Sequence, residues 1–136
     1  KKGYKSLIKN PLIFFNAKFQ TLQFHFDMHH GYGNLNKAID CLNHKDREDF
    51  REYMEKNVSF HPHIMFITKP VIAEKWFSDL FSWLFECEKI FGFKDLKGYE
   101  TTRLYAYLAE RYLSFWFTKY TKFKSLPWAL CDMSEN

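Results

Sequence analysis

The chain has 136 residues and a formal net charge of +4, with hydrophobic residues at 46% and charged residues at 26%. That balance excludes a disordered chain and is the size of one domain, not two ordinary ones. Twenty basic against sixteen acidic residues, with much of the excess in KKGYKSLIK and TKYTKFK, is far from a nucleic-acid signature; it suits phosphate-bearing ligands or anionic lipid.

In chain order, the stretch 10–26 mixes short apolar runs with Pro11 and reads as an extended segment followed by a turn or short helix. HHGYGN is a break, because two glycines two residues apart permit positive φ. Asn34 is positioned to cap a short helix through LNKAIDCLN that gathers Leu35, Ala38, Ile39 and Leu42 on one side. HKDREDFREYMEKN then reads as a charged helix opened at Asp46, with Phe50, Tyr53 and Met54 as its apolar seam.

VSFHPHIMFITKP (58–70) has the β-branched and aromatic pattern of a strand, ended by Pro70. The helix expected over 71–91 presents Trp76, Phe77, Leu80, Phe81, Leu84 and Phe91, and stops at Gly92. A final long helix is expected over about 100–119, followed by an irregular tail containing Pro127. The sum is a helix-rich α+β unit, read as a single domain over 1–136 or as the C-terminal fragment of a larger one, since the sequence opens on KKGYK without Met.

Aromatic residues reach 21%, more than a core of this size should hold, so some are expected to line a pocket, a partner surface or a membrane interface. Cys41, Cys87 and Cys131 are widely spaced, with no CxxC pair, as befits buried thiols in a reducing compartment. The most apolar stretch, 76–91, is interrupted by Asp79, Glu86, Glu88 and Lys89, so no membrane span is expected. The chain reads as cytoplasmic, with contact to a membrane surface left open.

Most familiar chemistries find no footing. There is no GxSxG elbow and no phosphate-cradling glycine loop. His25 and His29 have i, i+4 spacing, and His61 and His63 alternate about Pro62, but zinc requires three or four converging ligands. Ordinary hydrogen-bonding histidines are the plainer reading, and no metal ligand is assigned. What stands out is a stripe. Arg103, Tyr107, Glu110 and Ser114 fall within about 60° of one another around a helix axis. Such a stripe is ordinarily a wet or ion-paired helix face; its alternative is a wall of a substrate site.

HIMFI, WFSDLFSWLFECEK and YETTRLYAYLAERYLSFWF, in that order, resemble the C-terminal half of a bacterial glycosyltransferase domain family that builds capsular polysaccharide and lipopolysaccharide O-antigen. Its last helix reads Arg-x-x-(Gly/Ala)-(Phe/Tyr)-Leu-x-Glu-Arg-Leu, met here by Arg103, Ala106, Tyr107, Leu108, Glu110, Arg111 and, shifted by one, Leu113. Its Met-Phe-Ile is met by Met65, Phe66 and Ile67. Glu86 or Glu88 stands for the acidic residue after the apolar helix, and His29 or His30 for an upstream His. The similarity spans roughly residues 20–118. Two features depart from it: Ile64 stands where the family has Asn, and the family's N-terminal, nucleotide-binding half has no counterpart.

The resemblance implies the C-terminal part of a GT-A-like, Rossmann-like transferase that moves a sugar from a nucleotide-sugar donor to a glycan or lipid-linked acceptor. It places Glu110 as catalytic base or acceptor-binding carboxylate. Arg103, Arg111, Tyr107, His29, His30 and Met65 become substrate-binding residues. A divalent metal, manganese or magnesium, belongs to that chemistry, although the chain has no Asp-x-Asp. A second reading is a non-catalytic binding module descended from such an enzyme; a third is a histidine-based metal-binding protein.

Overall fold

A computed structural model describes residues 20–127 and contains six helices in that span: α1 (Leu22–His30), α2 (Asn34–Asp40), α3 (His44–Lys56), α4 (Pro70–Phe91), α5 (Tyr99–Thr102) and α6 (Leu104–Tyr120). About 67% of the described residues are helical and none forms a strand. The expected α+β, Rossmann-like character therefore reduces to a helix-rich unit. The expected extended start before residue 20, Cys131 and the end of the tail lie outside the described residues.

The helix ends follow local chemistry. Thr21 Oγ1 accepts from Phe24 N–H at 3.2 Å and opens α1. Gly31 (φ 99°) and Gly33 (φ 78°) carry the chain through the corner to α2; a Cβ on Gly31 would come within 2.4 Å of Asn34 Nδ2. Asn34 does not cap α2 as expected, since Gly33 holds that position; its amide instead donates to His30 C=O at 2.9 Å and ties the corner to the end of α1. Asn43 caps α3 in place of Asp46. Asn43 Oδ1 accepts from Asp46 N–H at 3.0 Å, and Asn43 Nδ2 donates to Asp46 Oδ2 at 3.3 Å. Pro70 opens α4 at its first turn, where its missing N–H costs nothing.

Two long elements differ from expectation. The strand over 58–70 is irregular chain. Pro62 offers no N–H, His63 adopts φ 68°, and no described segment pairs with it as a strand. Its sequence is used as two anchors: Phe60 and Phe66 lean onto the core, with Phe66 5.0 Å edge-on to Trp76, while Ile67 is fully exposed. The final helix is broken at Arg103 (φ −98°, ψ 18°) into α5 and α6. Thr101 and Thr102 precede the break, and Thr102 Oγ1 donates to Gly98 C=O at 2.5 Å, a side-chain bond that competes with helix continuation.

α6 runs through the middle of the fold, packed on α4 and α3, while α1 touches α2, α3 and α5. The core joins Phe26, Leu35, Ile39, Phe50, Met54 and Trp76 to Leu104, Leu108, Tyr112 and Trp116, all essentially fully buried. Each large apolar side chain so buried contributes about 1.5–3 kcal/mol. Indole N–H groups lace the layers: Trp83 donates to Ala38 C=O at 2.7 Å and Trp116 to Asp79 Oδ2 at 2.8 Å. The buried line of α4 is Trp76, Leu80, Trp83 and Cys87. Phe77 and Phe81, expected on that face, are instead mostly outside it, because the neighbouring helices cover a strip at i, i+4, i+7 and i+11 and no wider. No described helix is long and apolar enough to cross a membrane.

Candidate functional site

α6 carries its polar stripe from open solvent into the interior. Arg103 is exposed, Tyr107 and Glu110 are half-buried, and Ser114 is buried. Arg111, adjacent to the stripe, is 2% exposed. A guanidinium cannot shed its charge, so burial on this scale requires partners. Arg111 Nη1 donates to Glu110 Oε2 at 3.2 Å and to Tyr107 C=O at 3.4 Å, and Nη2 donates to His25 Nδ1 at 3.3 Å. Its carbon lies 4.2 Å from the Phe60 ring centroid and 5.5 Å from that of Phe26. Nε, also buried, has no hydrogen-bond partner. Burial pushes the Arg111 pKa down, against the opposing pull of Glu110 and Tyr107.

The histidines of α1 close the other side. His30 stacks on Tyr107 with ring centroids 3.8 Å apart and planes at 20°. His30 Nδ1 donates to Glu100 C=O at 3.3 Å, since a carbonyl can only accept. His25 Nδ1 accepts from Arg111, so its proton sits on Nε2. Burial first, then neighbouring positive charge, lowers the pKa of both rings to about 4; for His25 the charges are His29 and Arg111, for His30 chiefly Arg111. Both are therefore neutral near pH 7. His29 lies between them and solvent, 4.0 Å from Glu100 Oε1. Exposed Tyr99 lies at the solvent end of the stripe, its hydroxyl accepting from Arg103 Nη1 at 2.5 Å.

Six of the seven residues singled out in the sequence thus converge: Arg103, Tyr107, Glu110, Arg111, His29 and His30. Met65 does not join them. It lies on the irregular chain before α4, is 60% exposed and lines a separate groove. Tyr107 also differs from its expected use, because its ring is already engaged by His30 and by Arg103 5.5 Å away. Tyr99 is 70% exposed, with the same Arg103 guanidinium 5.3 Å from its ring centroid. Sequence reasoning missed Tyr99, Glu100 and Phe60 as members, and treated His25 only as a metal candidate; the i, i+4 spacing of His25 and His29 was the usable signal. Among the described residues no group of three or more His, Cys, Asp or Glu side chains is arranged to hold a metal ion.

The family model described as "Domain of unknown function (DUF4422)" matches residues 3–122. The chain belongs to that family. The matched span takes in every residue of the cluster. No curated protein and no solved structure matches the chain.

Proposed function

We propose that this chain forms the acceptor side of a sugar-transferring domain, one that moves a sugar from a nucleotide-linked donor to a surface glycan of the capsular or lipopolysaccharide kind. The observation that carries the reading is Glu110. Its carboxylate is 18% exposed, Oε2 is fixed by the buried Arg111 and Oε1 accepts no bond from the described residues. A carboxylate pinned through one oxygen and open at the other is suited to a sugar hydroxyl. In this reading the acceptor hydroxyl oxygen bonds to the anomeric carbon of the donor as its proton passes to Glu110 Oε1. The anomeric bond to the diphosphate breaks and the diphosphate leaves with the electron pair. Arg103, exposed at the solvent end of the stripe, meets that negative charge; Tyr99 offers a face to sugar C–H bonds; Arg111, His25 and His30 hold the constellation in place.

Calorimetric titration with a panel of nucleotide diphosphosugars, with and without manganese, and with oligosaccharide acceptors, tests this. Saturable binding of a donor or acceptor, weakened at least tenfold by Glu110→Gln or Arg103→Ala, supports it. Folded protein that binds no member of the panel overturns it. A purely binding role draws support from His25 and His30, whose Nδ1 atoms are engaged by Arg111 and by the Glu100 carbonyl and so hold the cluster together. Glycan binding with no release of diphosphate from any donor would favour that second reading.

A further inference from the structure

Behind the irregular segment before α4 runs a groove of about 840 Å³, within the usual range for small-molecule sites of about 300–1,000 Å³. One wall is the loop 61–68, the floor is Leu113, Ser114 and Phe117 of α6, and the far wall is the chain 121–127. The loop is pinned open, not collapsed. His61 N–H donates to Ser114 Oγ at 2.9 Å, and His61 Nε2 lies 3.3 Å from Ser125 Oγ across the groove. Phe66 meanwhile packs 5.1 Å from Phe117. These contacts hold Ile64, Met65 and Ile67 out toward solvent, at 41%, 60% and 99% exposure. Holding such apolar side chains out of the core forfeits the burial energy that folding would otherwise gain.

The charge of the groove is one-sided. Lys122 and Lys124 line it, and among the described residues no carboxylate lines it and none forms an ion pair with either lysine. An apolar trough with two ammonium groups at its rim complements a molecule with one hydrocarbon chain and an anionic head. We propose that the groove binds a single-chain alkyl phosphate of the membrane-lipid kind, its chain along Ile64, Met65, Ile67 and Leu126 and its phosphate at Lys122 and Lys124. The site is distinct from the Glu110 cluster, and the inference stands whether or not that cluster handles sugars.

The test is titration of the full chain with dodecyl phosphate below its micelle concentration, beside inorganic phosphate and dodecyl maltoside, followed by calorimetry and sedimentation. The expected result is saturable one-to-one binding of dodecyl phosphate by a monomer, with affinity rising about fourfold per added methylene along the decyl-to-tetradecyl series. Inorganic phosphate and the neutral maltoside should each bind at least tenfold more weakly. Lys122→Glu with Lys124→Glu should cost at least tenfold, and Ile67→Asp as much; these side chains are exposed, so both variants fold. Equal binding of the neutral detergent, indifference to the lysine substitutions, or no binding at all overturns the proposal. So does a dimer that Ile67→Asp dissociates, since the groove is then occupied by a second copy of the chain.

Discussion

Two buried charges meet α6, one toward each end, and they are handled differently. At the C-terminal end Asp46, 1% exposed, is saturated. Oδ1 accepts from Lys119 Nζ at 2.7 Å and from the Tyr120 hydroxyl, Oδ2 accepts from Asn43, and Lys119 reaches on to Asp49 at 2.8 Å. Burial alone would push the Asp46 carboxyl up, but the bonds from Lys119, Tyr120 and Asn43 outweigh it and hold its pKa below the ordinary value. Nearer the other end Arg111 is as deeply buried, yet keeps one carboxylate at 3.2 Å, a histidine at 3.3 Å and a bare Nε. A saturated network locks two helices together. An under-satisfied one retains a cost that stability alone does not explain, and such costs concentrate at sites of function.

The sharpest way to break this contrast is Asp46→Ala. It leaves the Tyr120 hydroxyl and the Asn43 amide without their partner and Lys119 with only Asp49 and the Lys45 carbonyl, so a loss of about 2–3 kcal/mol is expected in urea unfolding. Sugar binding per folded molecule should be unchanged.

Acid should separate the two ends by pH. His25 and His30 have folded pKa values of about 4 against about 6.5 when unfolded, so the unfolded chain binds more protons between those values. Their contribution is complete above pH 6.5 and is lost as the pH falls toward 4. After discount for solvent screening the loss is on the order of 2 kcal/mol for the pair. Asp46, with its lowered pKa, contributes stability above the ordinary carboxylate range and loses it only at still lower pH. Thermal midpoints measured from pH 7.5 down to about pH 2 should therefore fall in two stages, and replacing both histidines with Gln should erase the first.

Arg111→Met sharpens the comparison from the other side. Removing the guanidinium leaves Glu110 Oε2 and His25 Nδ1 without a partner, and stability should fall by about 1–2 kcal/mol, since the Glu110 carboxylate still reaches solvent. Ligand binding should fall at least tenfold, because Glu110 loses its orienting partner. The smallest stability effect belongs to the exposed Arg103→Ala, within about 0.5 kcal/mol. There only donor affinity should change.

The helices were largely legible in the sequence because their signals are local. Pro70 and Gly92 bracket α4, the glycines of HHGYGN turn the corner, and Leu35, Ala38, Ile39 and Leu42 are buried as their spacing implied. The strand over 58–70 was misread because β-propensity describes side chains suited to a sheet and says nothing of whether a partner strand exists. The stripe was visible as a pattern around a helix axis, but its depth was not. Whether Glu110 faces water depends on α1 folding back through Gly31, which brings His25 and His30 across the chain onto Arg111 and Tyr107. No spacing within α6 encodes that contact. Asn43 and Asp46 illustrate the same limit on a smaller scale, since the cap could be placed only to within a few residues while the partners Lys119 and Tyr120 lie more than 70 positions away.

The central claim is that the Arg111 end of α6 faces a sugar-bearing ligand and the Asp46 end does not. Proton–nitrogen correlation spectra of the arginine Nε–H groups and the α6 backbone, recorded while uridine- and guanosine-diphosphate sugars and oligosaccharides are titrated in, test it most directly. The account predicts saturable shifts at Arg111 Nε–H and at the Glu110 and Arg103 amides, with Lys119 and Tyr120 unmoved. Signals at Arg111 that stay fixed across the whole panel in folded protein, or shifts confined to the Lys119 end, would contradict it.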